Sequence, residues 1–150
     1  MIFVFDIDGA VANNSHRLQT LQLNPNNLEL YHNQMQYDKP YDTMVNWIKS
    51  IGNRGKVVFQ TERPHRYRKL TVGWLRDHGL LSVYNELLMN ENDSNISMSE
   101  LKLGFLTHIR QTFSDDHILW VENDLEIVNL LNKHGATALC SKFIRSQIQS

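Results

Sequence analysis

Short apolar runs of strand length recur along the chain and alternate with segments of helical periodicity. The runs lie at 1–5, 56–60, 86–89, 117–121 and 136–140. Uninterrupted apolar runs of this length are typical of strands that are buried on both faces, as in a parallel sheet. Between them, apolar residues repeat with helical spacing, most clearly within 44–51 and 101–109. The alternation predicts an α/β protein with a doubly wound, three-layer parallel sheet and right-handed crossovers.

The segment 12–38 interrupts this alternation. It is polar and rich in Asn, Gln and Leu. Ser15 is a candidate cap for a helix that runs through Leu23, and Asn26 or Asn27 for a second helix that ends near Gln36. Because the segment is too long for a simple turn, we predict a small helical cap at about 12–38, inserted into one domain that spans 1–150.

Helix start and stop signals place the remaining helices. They are predicted to begin at Pro40, at Pro64, at Ser97 or Ser99, and at Leu125. Glycines that follow the apolar repeats predict where three of these helices end, near Gly52, Gly79 and Gly135. The pair Asp115 and Asp116 precedes a predicted strand and is expected to form a turn.

Composition excludes several function classes. A net charge of −1 gives no overall field that would attract nucleic acid or a membrane, so an anionic substrate needs local basic groups. The single cysteine, Cys140, excludes an internal disulfide and a cysteine zinc site, which fits a reducing cytoplasm. No apolar stretch reaches membrane-spanning length. We therefore expect a soluble cytoplasmic protein, and the sequence leaves its oligomeric state open.

Polar side chains collect where the predicted strands end. Asp6 and Asp8 follow the first strand, Thr61 and Arg63 follow the second, and the fourth strand is followed by Glu122, Asn123 and Asp124. The carboxyl ends of parallel strands share one edge of the sheet, so these groups are expected to converge. Taken singly, Thr61 or the 122–124 group could simply cap a helix. Together they supply the oxygen ligands, hydroxyl and cation of a site for Mg²⁺ and phosphate.

A basic run at 63–69 follows the second strand. Its residues Arg66 and Arg68 either contact a nucleic-acid backbone or lie on the solvated face of a helix. Cations are unfavourable at a helix N-terminus, which favours the first interpretation.

Four motifs carry a resemblance to a known family. The segment from Phe5 to Ala10 resembles the Asp-x-Asp-Gly-Thr motif of the haloacid dehalogenase superfamily. Thr61, Lys102 and the acidic segment 122–124 fall where its second, third and fourth motifs fall. Segments 13–17, 38–40 and 61–64 are most similar to phage-type polynucleotide kinase 3′-phosphatase domains. The resemblance implies a haloacid dehalogenase-like Rossmannoid fold over nearly the whole chain.

The resemblance also implies a function and a role for each catalytic residue. The function is that of a Mg²⁺-dependent phosphomonoesterase that acts on nucleotides or on nucleic-acid 3′-phosphate ends. Asp6 would attack phosphorus to form an aspartyl-phosphate, and Asp8 would act first as general acid and then as general base. Thr61 would hold phosphate oxygens, while Lys102 would balance the carboxylates.

Further residues would bind the metal and the substrate. Mg²⁺ would be bound by Asp6, by the backbone carbonyl of Asp8 and by the fourth-motif residues Glu122, Asn123 and Asp124. The substrate phosphate would be contacted by Arg17, Arg63 and Arg66.

The chain departs from the family pattern at four positions. Ala10 replaces Thr, Glu62 replaces Gly, Asn123 replaces Asp, and Met98 stands where an acidic residue is expected. These changes support an alternative hypothesis, a degenerate protein with weak or no activity that binds a nucleotide, a nucleic acid or a protein. A nucleotidase for free 5′-nucleotides is a third hypothesis, because it shares the same core chemistry.

Overall fold

The structure is a computed structural model that describes residues 1–91, 95–114 and 117–148. Its strands are β1 (Ile2–Asp6), β2 (Ala12–Asn13), β3 (Lys39–Pro40), β4 (Lys56–Pro64), β5 (Glu86–Asn90), β6 (Ile118–Glu122) and β7 (Thr137–Cys140). Its helices are α1 (Ser15–Leu23), α2 (Leu28–Asn33), α3 (Asp42–Ile51), α4 (Arg68–Asp77), α5 (Met98–Thr112), α6 (Leu125–Lys133) and α7 (Ser141–Ile148). Short 3₁₀ turns lie at Gln34–Tyr37, Gly52–Arg54 and His65–Tyr67.

Five strands form one parallel sheet in the order β5-β4-β1-β6-β7. β1 is central, and its Phe5 lies in register with Phe59 of β4 and Val121 of β6. The strand order reverses direction on either side of β1, which is the mark of a doubly wound sheet. The predicted α/β fold class is confirmed.

Alternation along β1 divides the core into two layers. Phe5 joins a cluster on the α3 and α4 side that includes Ile48 and Leu75. Val4 points the other way into a cluster with Phe105 and Trp120. Because successive side chains of a strand point to opposite faces, helices cover both faces of the sheet and complete a three-layer structure.

The segment between β2 and β3 contains α1, α2 and one 3₁₀ turn. β2 and β3 pair antiparallel and bring the two ends of this segment together. The Asn27 side chain caps α2 by accepting a hydrogen bond from the backbone N–H of Leu30 at 3.0 Å. The segment docks on α4, where the Trp74 indole donates to the backbone carbonyl of Asp38 at 2.8 Å. We call the helical segment 15–37 the cap.

Several element limits differ from those predicted. β4 continues to Pro64, and α4 begins at Arg68 after a 3₁₀ turn rather than at Pro64. Likewise Pro40 belongs to β3, so α3 begins at Asp42. In both cases the proline extends a strand because its fixed φ also suits extended backbone. The turn predicted at Asp115 and Asp116 lies outside the described residues.

The C-terminal helix α7 was not predicted. It is only eight residues long, and its large apolar residues are Phe143, Ile144 and Ile148, too few for a repeat to be recognised from the sequence. Polar contacts attach this helix to the rest of the domain, as described below. Among the described helices, none combines the length and the apolar character needed to cross a membrane.

Leu75→Ala tests the α3 and α4 core layer. Leu75 is fully buried, so we expect its truncation to lower the free energy of unfolding by about 2–5 kcal/mol. Leu81→Ala is the matched control, because Leu81 is 45 % exposed and its truncation leaves no cavity. Urea titrations of both variants give the comparison, and equal losses would contradict the packing described here.

Candidate active site

The carboxyl ends of β1, β4 and β6 open into a cavity of about 250 Å³. Its polar floor is formed by Asp6, Asp8, Lys102, Glu122, Asn123 and Asp124. Leu18, Leu21 and Tyr31 of the cap also line the cavity, and Asn14, Glu62 and Met98 complete the lining. The structure therefore brings side chains from distant parts of the sequence together at one edge of the sheet.

A tight turn positions Asp8 above β1. Gly9 has a φ of 80°, and a Cβ at that position would lie 2.5 Å from the Asn123 side chain. A residue with a side chain would therefore be strained and would also clash. The Gly9 N–H donates to the Ala12 carbonyl at 2.8 Å, while the Ile7 carbonyl accepts from Val11 N–H at 3.0 Å. These bonds fix the direction in which the Asp8 side chain leaves the backbone.

Helix α7 holds the same turn from outside the cavity. The Gly9 carbonyl accepts hydrogen bonds from Ser141 Oγ at 3.1 Å and Arg145 Nη1 at 2.8 Å. The Arg145 guanidinium also stacks over the Tyr41 ring, 3.9 Å from its centroid. The sequence did not predict the roles of Ser141 and Arg145. Their hydrogen-bond acceptor is a backbone carbonyl, which every residue has, so no sequence pattern marks the contact.

Lys102 lies at the centre of a buried polar network beneath Asp6. Its Nζ donates to Gln60 Oε1 at 2.7 Å, Glu122 Oε2 at 3.0 Å and Asp6 Oδ1 at 3.3 Å. Burial alone would lower the pKa of Lys102, but the charges of Asp6 and Glu122 outweigh it and raise that pKa above its ordinary value. Lys102 is therefore a fixed cation. The contact with Gln60 was not predicted.

The two carboxylates that share Lys102 have opposite pKa shifts. Burial raises the pKa of Asp6 well above its ordinary value, and the nearby negative charge of Glu122 raises it further. For Glu122, the charge of Lys102 overcomes burial and lowers the pKa. Its Oε1 also accepts the backbone N–H of Asn123 at 2.9 Å. Of the two carboxylates, Glu122 therefore keeps its negative charge more readily, and the charged form of Asp6 is disfavoured.

Asp8 is held by two guanidinium groups and a hydroxyl. Arg63 donates through Nε to Oδ2 at 3.0 Å and through Nη2 to Oδ1 at 2.7 Å. Arg17 Nη2 donates to Oδ1, and Thr61 Oγ1 donates to Oδ2 at 3.2 Å. Burial would raise the pKa of Asp8, but the charges of Arg63 and Arg17 hold that pKa well below its usual range.

Asp38 completes what we call the ion cluster, which consists of Asp8, Arg17, Asp38 and Arg63. Arg17 donates through Nε to both Asp38 oxygens, at 2.9 and 3.1 Å, and Arg63 Nη2 lies 3.5 Å from Asp38 Oδ2. All four residues are buried. The segment 38–40 contributes to the family resemblance, but the sequence alone indicates no role for Asp38. Its partner Arg17 lies more than twenty residues away in the sequence.

The predicted substrate-binding arginines have different surroundings. Arg17 and Arg63 donate most of their side-chain N–H groups within the ion cluster. Arg63 also donates to Thr71 Oγ1 at 3.1 Å. Arg17 Nη1 is buried and has no hydrogen-bond partner among the described residues. None of the three arginines is among the residues that line the cavity. The Arg66 guanidinium lies 5.0 Å from the Tyr67 ring centroid.

The fourth-motif residues also differ in what they offer to a ligand. Both Glu122 oxygens accept hydrogen bonds from protein groups. Asp124 Oδ1 caps α6 by accepting from the backbone N–H of Glu126 at 2.8 Å. Asn123 places its side-chain amide against Gly9 at the cavity floor. Both the oxygen and the nitrogen of this amide therefore lie next to the turn that carries Asp8.

The donor set fits Mg²⁺ better than a transition metal. No group of three or more His, Cys, Asp or Glu side chains among the described residues could hold a metal ion by itself. Mg²⁺ needs no such group, because it binds through one or two carboxylates and completes its shell with water and substrate phosphate. A cation bound beside Asp6 would stabilise the carboxylate form that burial and Glu122 disfavour.

Comparisons with known proteins establish the fold. No family model matches the chain, and no curated protein matches its sequence. A chain of the Pnkp1/Rnl/Hen1 complex superposes with a TM-score of 0.74 at 17% identity over 93% of this chain. A hydrolase from Streptococcus pneumoniae TIGR4 superposes with a TM-score of 0.66 at 12% identity, covering 99% of this chain and 98% of its own.

The L-2-haloacid dehalogenase of Xanthobacter autotrophicus is a more distant neighbour, with a TM-score of 0.61 at 9% identity over 91% of this chain and 75% of its own. This chain spans only 45% of the chain from the Pnkp1/Rnl/Hen1 complex. At these identities the likeness is one of fold. The chain has the fold of the haloacid dehalogenase-like hydrolases.

Asp38→Asn tests the ion cluster. Removing one buried carboxylate leaves Arg17 and Arg63 with excess positive charge, so we expect the free energy of unfolding to fall by about 3–5 kcal/mol. Asp77→Asn is the control, because Asp77 pairs with Arg76 at 3.3 Å on the surface and should cost less than about 1 kcal/mol. Urea unfolding measures both losses. Similar values for the two variants would contradict the proposed importance of the cluster.

His32 makes the stability of the protein depend on pH. Burial and the charge of Arg17 lower the pKa of this cap residue from 6.5 to about 4. The unfolded chain therefore binds a proton first, and stability falls as the pH drops from 6.5 toward about 4. Urea unfolding at both ends of this range measures the loss, which should be smaller in His32→Phe. An equal loss in the variant would refute the assignment.

Proposed function

We propose that this protein is a Mg²⁺-dependent phosphomonoesterase that acts on nucleotides or on nucleic-acid 3′-phosphate ends. The observation that carries the proposal is the arrangement of Asp6 and Asp8, which line one cavity at the end of β1 with Lys102 beneath Asp6. A paired nucleophile and acid–base group above a fixed cation is what phosphoryl transfer through a carboxylate needs. The shared hydrolase fold supports the same chemistry.

In the first step of the proposed reaction, a carboxylate oxygen of Asp6 attacks the phosphorus atom. In the free protein Arg17 and Arg63 hold Asp8 ionised. When the two arginines turn to the phosphate oxygens, Asp8 takes up a proton, which it gives to the ester oxygen as the bond between phosphorus and that oxygen breaks. The phosphoryl group is now carried by Asp6 as an acyl phosphate. Lys102 keeps Asp6 in position throughout, since its own contacts with Gln60 and Glu122 do not depend on substrate.

In the second step, water attacks the phosphorus atom of this intermediate. Asp8 removes a proton from the water, the bond between phosphorus and the Asp6 oxygen breaks, and inorganic phosphate leaves. The carboxylate of Asp6 and the protonated Asp8 are thereby restored. Dividing the displacement into two steps lets one carboxylate pair serve both halves of the reaction.

Mg²⁺ would be held by the Asp6 carboxylate, the Asp8 backbone carbonyl and the Asn123 side-chain oxygen. When bound, it supplies the positive charge that lets an anionic phosphate approach a carboxylate. Glu122 acts through Lys102 and the Asn123 backbone N–H, because its oxygens are already occupied. Asp124 would place its exposed carboxylate near the metal while capping α6.

The phosphate oxygens would be bound by the ion cluster. Arg17 Nη1 is a buried N–H group without a hydrogen-bond partner in the described part of the chain, so it would be free to donate to a phosphate oxygen. Thr61 lies beside Asp8 and can share its hydroxyl with a phosphate oxygen. The proposed nucleic-acid substrate is supported by the likeness to a chain of an RNA repair complex.

A second candidate function is a weakly active or non-catalytic protein that binds a nucleotide, a nucleic acid or a protein partner at the same edge. It is favoured by Asn123 and Glu62, which line the cavity. A neutral amide contributes less to cation binding than a carboxylate, and an added carboxylate repels an anionic ligand.

Asp6→Asn tests the proposed reaction. The intact protein should release inorganic phosphate from a nucleoside 3′-monophosphate and from a 3′-phosphorylated oligonucleotide when Mg²⁺ is present, and chelation should stop the release. Loss of the nucleophile should lower the rate at least about a thousandfold, equivalent to about 4 kcal/mol. Asp77→Asn should retain full activity. The proposal fails if the intact protein shows no turnover at high enzyme and Mg²⁺ concentrations.

Asn123→Asp separates the two candidate functions. Restoring a carboxylate at the metal position should lower the Mg²⁺ concentration needed for half-maximal phosphate release by about tenfold. Asn132→Asp changes the same residue type away from the cavity, where the Asn132 side chain bonds to Ala138, and serves as the control. If Asn123→Asp creates activity that the unaltered chain lacks, the binding function is favoured.

A further inference from the structure

We propose that Glu62 makes this site selective for phosphomonoesters that carry a single phosphate on a neutral leaving group with hydrogen-bond donors. Of the two substrate classes proposed above, mononucleotides fit this description, whereas nucleic-acid ends, like nucleoside bisphosphates, present a second phosphate and should be the poorer substrates. This inference rests on the proposed function, because it assumes that the reacting phosphate lies against Asp6.

Glu62 is placed differently from its neighbours in β4. Thr61 and Arg63 are fully buried and turn their side chains toward Asp8. Glu62 is exposed, yet it lines the same cavity. Because side chains alternate along a strand, Glu62 cannot join the ion cluster and instead lies at the cavity mouth.

No side chain in the described part of the chain forms a hydrogen bond or an ion pair with Glu62. The Arg63 guanidinium is used by Asp8 and Thr71. The charges that act on Glu62 are those of the cations Lys102 and Arg17 and of the carboxylates Asp8 and Glu122, and Lys102 is already shared by Asp6 and Glu122. A carboxylate in this position accepts hydrogen bonds from a ligand and repels ligand anions.

The charge balance of the site depends on this residue. Five carboxylates line the cavity, and Asp38 joins them through Arg17 and Arg63; the cations that meet these six are Lys102, Arg17 and Arg63. One Mg²⁺ would leave this set with one net negative charge. Without Glu62 the same set would be neutral. The reacting phosphate is compensated by the metal and the arginines, but a second phosphate at the mouth would lie beside Glu62, which has no hydrogen-bond or ion-pair partner among the described side chains.

The rest of the outer cavity suits a neutral organic group. The cap contributes Leu18, Leu21 and Tyr31, and Met98 lies at the start of α5. An apolar wall opposite a single carboxylate accommodates a group with one apolar face and a donor edge. The sugar and base of a nucleoside have both features, with hydroxyl or amino groups that can donate to Glu62.

The test compares two ligands that differ by one phosphate. Dissociation constants of a nucleoside 3′-monophosphate and the matching 3′,5′-bisphosphate are measured with Mg²⁺ by calorimetry, in the Asp6→Asn protein so that neither is consumed. At low salt the monophosphate should bind about tenfold more tightly. Salt near 1 M should reduce this preference, because exposed charges are screened.

Variants of Glu62 then identify the cause of the preference. Introducing Glu62→Gln into the Asp6→Asn protein should bring the ratio of the two dissociation constants, bisphosphate over monophosphate, to about one. Introducing Glu62→Asp instead should retain most of the preference for the monophosphate. Glu29→Gln removes a carboxylate from the cap outside the cavity and should leave the ratio unchanged. The proposal is overturned if the bisphosphate binds as tightly as the monophosphate, if Glu62→Gln leaves the ratio unchanged, or if neither ligand binds at millimolar concentration.

Failure of the proposed function gives a different pattern. In that case the protein with Asp6 intact releases no phosphate from either nucleotide or from p-nitrophenyl phosphate, an ester whose leaving group carries no second phosphate. The ratio of dissociation constants is measured without turnover, so it supports or refutes the role of Glu62 independently. Turnover with an unaltered ratio in Glu62→Gln would refute only the selectivity.

Discussion

The ion cluster is the interaction on which the rest of this structure depends. Two carboxylates and two guanidinium groups are buried together, and each charge is tolerated only because the others compensate it. Arg17 belongs to the cap, whereas Arg63 and Asp8 belong to the sheet edge. The cap therefore cannot leave the core without exposing or unpairing these charges. The same contacts that hold the fold together also orient Asp8 in the cavity.

A second polar centre gives Asp6 a different environment. Lys102 joins Asp6, Glu122 and Gln60 beneath the cavity, and one cation must serve two carboxylates there. Asp8, by contrast, is shared by two cations. The neighbouring aspartates thus differ in charge compensation although only Ile7 separates them in sequence. Because Asp6 has less positive charge around it, a bound cation would stabilise its carboxylate form, whereas Asp8 is already ionised without one.

Local patterns were sufficient to predict the sheet and most helices. The apolar runs of β1, β4 and β6 and the capping signal at Ser97 all depend on residues close in sequence. The extension of β4 to Pro64 depends on its pairing with β5, and α7 depends on contacts between Arg145 and Gly9. Such long-range polar contacts have no periodicity. For the same reason the sequence indicated which residues gather at the site, but not that Asp38 pairs with Arg17.

The central claim is that Asp6 accepts the phosphoryl group, and trapping this intermediate tests it most directly. The protein is mixed with a phosphomonoester and Mg²⁺, quenched in acid within one turnover, digested and examined by mass spectrometry. The account predicts one phosphoryl group on the peptide that contains Asp6, absent from the Asp6→Asn protein. Phosphate release without any phosphorylated peptide, or with the phosphoryl group on another residue, would contradict it.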